Sequence, residues 1–492
     1  MGTGSYSSAV TWSAVYGAIT SAGVYTAPAT VPTSGMDTIT ATSTQDGTKS
    51  GQANITITAA RVITFTPQYP TVSQAEAAGG IFPVQINATG IQAGDVIETT
   101  EMGISNSYSI TATDVTNGYF TVDIGINEIA SFVRFACGSP TSTNAMCNTA
   151  WMAITTDQQE LAENSGATMA YFNPGYTFDI QEFSLANEAN EGAAPLVGSV
   201  ANSNSAIAVD GGTSGTGALV SDVEFEAVNS TTGTATTGII APGNPVVVFA
   251  SIAARNGYGY MTEPDAGYLG RFTISTTAGL GSPSTVAAGS GPYAMDAATV
   301  NAADAIVVYS GVDRKARLFS NALTLESTSA ALSNITAFPT NGQPLTGSQG
   351  GWPLRIIGSG SAAGTVGVLS SYDNVLDFLT ISSGNVLSWA GAALGSVTLT
   401  GNPYLIAPDP THGAFIVASA DTTNGVTTLQ SISAKSPYTA TTITSASSLP
   451  VGFLASGILV SNDGSTIYVA GFNALTAPDP TNTPLFIAIA NN

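Results

Sequence analysis

The sequence predicts an all-β protein of several domains, and three observations carry that prediction. Stretches with a 3.6-residue period are few, and Glu, Lys, Leu and Arg are scarce. Short runs of Val, Ile, Thr, Tyr and Phe alternate instead with clusters of Gly, Asn, Asp, Ser and Pro, the pattern of strands and turns. In the C-terminal part a proline leading into an apolar run recurs at a nearly constant interval, the mark of a repeated β unit. At 492 residues the chain is too long for one ordinary core, so these strands divide among domains.

Composition narrows the partners. Charged residues are 9% of the chain, against roughly a quarter in a typical soluble protein. The 32 acids outnumber 10 bases, for a formal net charge of −22. Binding phosphate backbones or anionic lipid heads requires clustered Lys and Arg, so neither nucleic acid nor a membrane surface is an expected partner. The longest apolar runs, such as "PVVVFASIAA", are of strand length and far below the ~18 residues of a spanning helix, so a soluble chain is expected. The opening "MGTGSYSSAV" lacks the basic start, apolar core and cleavage site of a signal peptide, which leaves Met1 open as a fragment start.

Residues 1–60 hold "VTWSAVYGAITSAGVYTAPATVP" and "DTITATSTQDGTKSGQANITIT". Trp12 falls on an alternating strand, "TSAG" and "TAPAT" are turns, and "TITATS" and "ANITIT" each place branched residues on one face. The Trp-Ser strand, the Gly-x-Tyr-x-Ala-Pro turn and the closing Thr-rich strand resemble the later half of bacterial immunoglobulin-like (Big-type) domains found in tandem on cell surfaces. Such a sandwich needs about seven strands in about 100 residues, so the earlier strands are missing here. An open half sandwich exposes strand edges, which natural proteins avoid. Two explanations stay open: the chain is a fragment of a longer polypeptide, or another chain supplies the absent strands by β-augmentation.

Residues 61–156 begin "RVITFTPQYPTVSQAEAAGGIFPVQINATGIQAGDVIET". The opening strand, the Gly-Gly turn, "FPVQINATG" and the "IQAGD" turn resemble TIG-like immunoglobulin domains of bacterial surface proteins, which implies a second β-sandwich. Cys137 and Cys147 are the only cysteines, ten positions apart. A lone local pair points to one disulfide, worth about 2 to 3 kcal/mol, and to an oxidising compartment; two separate buried thiols are the alternative. The pair would close a hairpin or loop beside the strand "TAWMAIT", with Trp151 in the core. A metal site is not expected, because the pair comes with neither a CxxC spacing nor a second histidine.

Residues 157–492 carry the repeat. Pro195, Pro245, Pro292, Pro353, Pro403 and Pro450 each precede an apolar run, at separations of 50, 47, 61, 50 and 47, with the long interval assigned to an insertion near 318–350. A period of about 40 to 50 with several strands per unit is the signature of a propeller. Proline at a strand's first position loses no ladder donor and stiffens the incoming loop. "GAFIVAS" and "GSTIYVA", each following a proline-marked strand, resemble the YVTN/lactonase-like β-propeller repeats of secreted bacterial surface proteins. The fold expected is thus two immunoglobulin-like sandwiches, the first incomplete, and a C-terminal propeller of six or seven blades. Seven is preferred, with "PLFIAIANN" pairing to the strands of 157–194 to bury the terminal edges.

Candidate chemistry is sparse. His412, the only histidine, lies in "PDPTHG" beside Asp409 and Gly413, where a solvated hairpin turn is the simpler reading. An imidazole needs an oriented partner and a nucleophile, and no G-x-S-x-G elbow is present. Glu224 with Glu226, and Glu263 with Asp265, are carboxylate pairs of glycosidase type, read as solvated acids. Calcium could use the acidic turns "SNDGST" and "APDPTNTP", but these match hairpin turns better than an ordered ligand loop, so no cofactor is expected. Tyr293, Trp352 and Tyr404 adjoin the strand-leading prolines and would gather at one rim of the ring with Arg355 nearby, able to stack on a sugar or peptide; blade-against-blade packing is the competing reading. Lactonase-type propellers use His, Arg or metal-binding acid clusters in the central channel, and fold likeness alone does not transfer that activity. The expectation is a non-enzymatic extracellular surface, matrix or filament protein working by assembly and adhesion, with protein partners or self-assembly through its N-terminal unit. A glycan- or peptide-binding propeller, and a lactonase-like enzyme or glycoside hydrolase, are the alternatives.

Overall fold

The computed structural model describes residues 7–59, 61–69, 81–101, 104–125, 131–139, 145–154, 161–163, 169–172, 181–185, 189–193, 206–209, 216–220, 224–229, 239–240, 251–264, 266–275, 279–280, 284–336, 353–444, 449–475 and 485–491. Strands dominate; among the described residues the α-helix is Ala112–Asn117, a short turn capped by Thr111, whose hydroxyl accepts the Asp114 N–H.

The N-terminal unit is one sheet in the order Val10–Ala14, Met36–Ser43, Ser50–Thr56, with a hairpin of Ala18–Ile19 and Tyr25–Thr26. The register sets Trp12 opposite Ala41, Ala14 opposite Ile39, and Ile39 opposite Ala53. Directly opposed residues share a face, so Val10, Trp12, Ala14, Ile39, Ala41, Ala53 and Ile55 lie on one largely apolar side together with Asp37 and Ser43, and Thr11, Ser13, Thr38, Thr40, Thr42, Ser50, Gln52 and Asn54 lie on the other. The hairpin lies over part of that apolar side, where Trp12 packs against the bare backbone of Gly23. Asp37, fully buried, ties the hairpin down by accepting the N–H groups of Val15, Tyr16 and Gly17 and the Tyr25 hydroxyl. Val10, Val15, Tyr16, Val24, Val31 and Met36 stay exposed, and the strands Val10–Ala14 and Ser50–Thr56 are both sheet edges.

The second unit is a sandwich. One sheet runs Tyr119–Gly125, Ile81–Thr89, Arg61–Pro67, Ala145–Cys147; the other runs Ala150–Ile154, Ser131–Cys137, Val96–Glu101, Ile104–Ser109. Ile63, Val84, Ile86, Ile97, Phe120, Val133 and Phe135 fill the space between them. Cys137 and Cys147 are bonded, as expected, across the connection between the paired strands Ser131–Cys137 and Ala150–Ile154, and because Ala145–Cys147 pairs in parallel with Arg61–Pro67, the bond also joins the two sheets. Trp151 is a core residue, as expected, but of the core shared with the C-terminal part. Val133, Phe135, Met152 and Ile154 face the sandwich core, whereas Phe132, Trp151 and Ala153 alternate to the opposite face and belong to a cluster with Leu405, Leu429, Phe453 and Leu454 of the C-terminal part. The sheet is therefore apolar on both sides, and its outer side docks onto the ring described next.

Among the described residues seven successive antiparallel sheets follow. Their first strands are Leu161–Glu163, Ala206–Val209, Ile252–Arg255, Pro292–Val300, Leu354–Ile356, Asn402–Asp409 and Phe453–Val460. Each of these contacts the first strand of the next sheet, and Phe453–Val460 contacts Leu161–Glu163, so the seven form a closed cycle with the later strands of each sheet stepping outward. The fold is all-β and propeller-like. Among the described prolines of the repeat, Pro292 opens its first strand, Pro403 is the second residue of its own, Pro353 directly precedes one, and Pro450 begins the turn that leads into Phe453; Pro195 and Pro245 lie outside the described residues.

Two expectations are corrected. The C-terminal strand Leu485–Ala490 pairs with Thr466–Asn473 as the third strand of the seventh sheet, and does not pair with the strands of 157–194. Closure comes from face packing: Leu161, Ala170, Phe172 and Leu185 of the first sheet pack on Tyr468, Ala470 and Phe472 of the seventh, and the Tyr468 hydroxyl donates to Leu185 O at 3.3 Å. Local hairpin pairing is geometrically simpler than a strand reaching back across the ring, which explains the choice. The extra length in the long repeat interval also starts later than 318, since Lys315–Ser320 and Leu325–Thr328 are the third and fourth strands of the fourth sheet.

Candidate functional site

The inner strands of the third, fourth and fifth sheets bring charged side chains together at the wall next to the ring axis. In an antiparallel strand successive N–H groups point to alternate sides. The Ile357 N–H bonds Thr365 O inside the fifth sheet, so the Ile356 N–H points out of the ladder. The Asp296 carboxylate of the fourth sheet accepts it at 2.8 Å, and accepts its neighbour Ala297 N–H at 2.9 Å. One acid thus satisfies a free-edge donor of the adjoining sheet, a buried group that would otherwise be costly.

Arg355 precedes Ile356 and stands close enough to Asp296 to be its chief charge partner, although no nitrogen comes within 4.0 Å of a carboxylate oxygen. Its one hydrogen bond among the described residues runs from Nη1 to its own Leu354 O, at 2.7 Å. Arg355 keeps some accessible surface, yet enclosure by protein strips it of water, and this desolvation pushes its pKa down against the pull of Asp296. Burial likewise pushes Asp296 up, opposed by Arg355, the two backbone N–H donors and Arg255. Arg255, last residue of the third sheet's first strand, donates Nε and Nη2 to Thr299 Oγ1 at 3.1 and 2.8 Å. Thr299 passes a bond to Asp304, which also accepts from Asn256. The wall therefore carries two guanidinium groups, Arg255 and Arg355, and two carboxylates, Asp296 and Asp304, with Asp296 given over to backbone N–H groups.

Of the residues expected at an aromatic rim, Tyr404 is buried and Tyr293 is half-buried. Tyr404 is 1% exposed between the sixth and seventh sheets, where its hydroxyl accepts the Ala455 N–H at 3.0 Å and meets Thr427 Oγ1 at 3.4 Å. Tyr293 is half-buried against the core between the fourth and fifth sheets. Both occupy a bulge, one between Pro292 and Ala294 and the other between Pro403 and Leu405, and a bulge re-aims the side chain it carries. Trp352 lies outside the described residues, as do Asp265, the side chains of Glu224 and Glu226, and the whole of "APDPTNTP". Of the sequence candidates, Arg355 is the one placed at the inner wall.

Glu263 is not a solvated turn acid. It is fully buried at the end of Tyr258–Glu263, and burial together with its charge holds the Tyr268 hydroxyl at a pKa of about 12. His412 sits on the hairpin joining the first two strands of the sixth sheet, with its side chain 52% exposed. Its Nδ1 meets Asp409 Oδ2 at 2.8 Å, and buried Asp409 also accepts the His412 N–H and Asn491 Nδ2. Asn491 donates as well to Gly464 O, so the acid pins the chain's end to two hairpins. In "SNDGST" the Asp463 carboxylate is taken by the hydroxyls of Ser461 and Ser465 and the Ser465 N–H, which pull its pKa down to about 2. Among the described residues no three His, Cys, Asp or Glu side chains converge as a metal would require.

Sequence reasoning missed Asp296 and Arg255. A signal was present: each is a charged residue inside an apolar first strand, "PYAMDAATV" and "ASIAARNG", in a chain where charge is rare.

The fold and this wall define an all-β protein with a propeller-like ring and a polar inner face. No family model matches the chain, and no curated protein matches it. It is similar to solved structures at low identity. Hydrazine synthase of Kuenenia stuttgartiensis matches at 9% identity and a TM-score of 0.44, over 69% of this chain and 98% of that one. A chain of the mitotic checkpoint complex matches at 8% and 0.46, over 68% and 88%. Virginiamycin B lyase from Staphylococcus aureus matches at 10% and 0.41, over 64% and 91%. Such likenesses concern fold alone, and the ring rests on its own strand contacts.

Proposed function

We propose that this protein is a non-enzymatic extracellular component that works by assembly and recognition. In this reading the N-terminal unit is the half of an immunoglobulin-like sandwich, completed by strands from another chain or from a longer polypeptide. The sandwich and seven-bladed propeller behind it form a rigid body that presents loops. The single observation that supports it most is the half-covered apolar side of the N-terminal sheet, flanked by two edge strands. Open edges of this kind are templates for strand addition. The bond between Cys137 and Cys147 accords with an oxidising compartment. The bonding of His412 within a surface clamp, and of Asp296 to backbone donors, fits a structural use of the groups an enzyme would need.

The test is self-association of the full chain followed by light scattering, together with imaging of the native material. The proposal expects concentration-dependent assembly and ordered contacts between copies, lost when Ala14→Lys and Ala53→Lys place charge on the apolar side. A chain that stays monomeric at every concentration, with isolated particles in the native material, would overturn it.

A further inference from the structure

We propose that the strand Ile104–Ser109 is a self-association edge, which pairs antiparallel with the same strand of a second copy about a two-fold axis at Ser107. The inference concerns a different surface from the N-terminal unit, and either reading can fail without the other.

The backbone pattern carries it. Ile104–Ser109 is the outermost strand of its sheet, bonded on one side to Val96–Glu101. Val96 O accepts the Gly138 N–H from the far side of its strand, and Asp95 O accepts the Ile110 N–H. Successive N–H groups point to alternate sides of a strand, so Ile104, Asn106, Tyr108 and Ile110 bond inward, while Ser105, Ser107 and Ser109 turn their N–H and C=O groups outward. These three serines are exposed, and their outward groups meet no described partner. Open edges are normally guarded by charge, proline, a bulge or a cover. On the sandwich's other edges, Tyr119–Gly125 carries Asp123, Ala145–Cys147 is short and held by the disulfide, and Ala150–Ile154 lies against the ring. Ile104–Ser109, "ISNSYS", has none of these guards.

A second copy is the occupant this strand fits. Its outward groups are evenly spaced about Ser107, so antiparallel pairing sets Ser107 against Ser107 and Ser105 against Ser109. Pairing closes about six backbone bonds and lines the serines on one face, with Asn106 opposite Tyr108 on the other. Every residue brought together is neutral, which matters in a chain of net charge −22. The acid on the serine face of the neighbouring strand is Glu98, opposite Ser107. Three strand spacings would separate the two Glu98 groups by about 14 Å, beyond the screening length of about 8 Å. The contact is small, so it is weak by itself.

The experiment uses the full chain carrying Ala14→Lys and Ala53→Lys, which removes the N-terminal contact, followed by analytical ultracentrifugation. A dimer with Kd of about 100 µM, and nothing larger, is expected. Ser107→Pro removes an outward N–H and no ladder bond, so the dimer should be lost with thermal unfolding unchanged. Should that variant misfold, Ser107→Lys sets like charges across the axis while lowering the net negative charge, and should weaken the dimer at least about tenfold. Ser107→Cys reads the register: opposed Cα atoms about 5.5 Å apart are within disulfide reach, so mild oxidation should give a covalent dimer. Thr121→Cys, on the exposed side of the other sheet, should not. A monomer at every concentration, whether or not it captures a synthetic β-strand peptide at this edge, would overturn the proposal. So would a dimer indifferent to both Ser107→Pro and Ser107→Lys, or equal cross-linking by Thr121→Cys.

Discussion

Asp377→Asn should stabilise the ring at neutral pH, and the gain should fade as the solution is acidified. Asp377 lies fully buried in the strand Val375–Ile381, opposite Ser396 on the neighbouring strand. Its Oδ1 accepts from Asn334 Nδ2 at 3.2 Å, while Oδ2 has no hydrogen bond; Ser396 stands near without closing one. Burial raises its pKa from 3.8 to about 6, with Ser396 and Asn334 pulling down and nearby Asp373 pushing up. A carboxyl that holds its proton more tightly when folded makes the native state less stable as pH rises from the unfolded to the folded value. The penalty is small below about pH 4 and complete above about pH 7. At about 1.4 kcal/mol for each tenfold change in proton affinity, ionised Asp377 costs about 3 kcal/mol at neutral pH, of which about 2 kcal/mol is relieved on going from about pH 7.5 to 4.5. The amide keeps the bond from Asn334 but leaves its own N–H groups buried, a loss of about 1 kcal/mol, so the net gain expected at neutral pH is about 1–2 kcal/mol. Guanidinium unfolding of the native chain and the variant at a series of pH values measures it. A stability difference that does not change with pH refutes the reasoning, because it would mean that Asp377 does not change its protonation in that window.

Three further outcomes follow from the packing. Gly457→Val should open the ring, since a side chain there would overlap Leu161 at the seam between the first and last sheets; hydrogen exchange should accelerate in Leu161–Glu163 and Phe453–Val460 and leave the fifth sheet protected. Trp151→Ala should cost about 3 kcal/mol and uncouple the sandwich from the ring, seen as a second calorimetric transition, because the indole lies directly on bare Gly425, where a Cβ would have no room. Asp37→Asn should loosen the N-terminal hairpin. Burial would raise the Asp37 pKa, but the Tyr25 hydroxyl and the N–H groups of Gly17, Tyr16 and Val15 hold it at about 2, so its contribution is present above about pH 4 and lost as pH falls through 2. Trp12 fluorescence should report that acid transition in the native chain and lose it in the variant.

What the residues themselves determined is local. Alternation with a period of two set the strands, Gly and Asn turns set the hairpins, and prolines before apolar runs marked where sheets begin, because each depends on neighbours within a few positions. "GAFIVAS" and "GSTIYVA" fall on the second strands of the sixth and seventh sheets for that reason. Long-range geometry decided the rest. Trp151 could sit on either face of its strand by pattern, since both faces are apolar, and only the ring against its outer side settles which. The closing seam depends on Leu161 meeting Gly457, nearly the whole ring apart along the chain, and on no strand pairing at all. The Tyr404 side chain looked free to reach a rim, but a bulge one strand-width from Ala455 turns it inward to satisfy a backbone donor. Asp296 and Ile356 are 60 positions apart and meet because neighbouring inner strands leave alternate N–H groups unpaired toward the axis. Sequence spacing encodes which residues can form a strand; it does not encode which strand's open edge a distant carboxylate will be asked to fill.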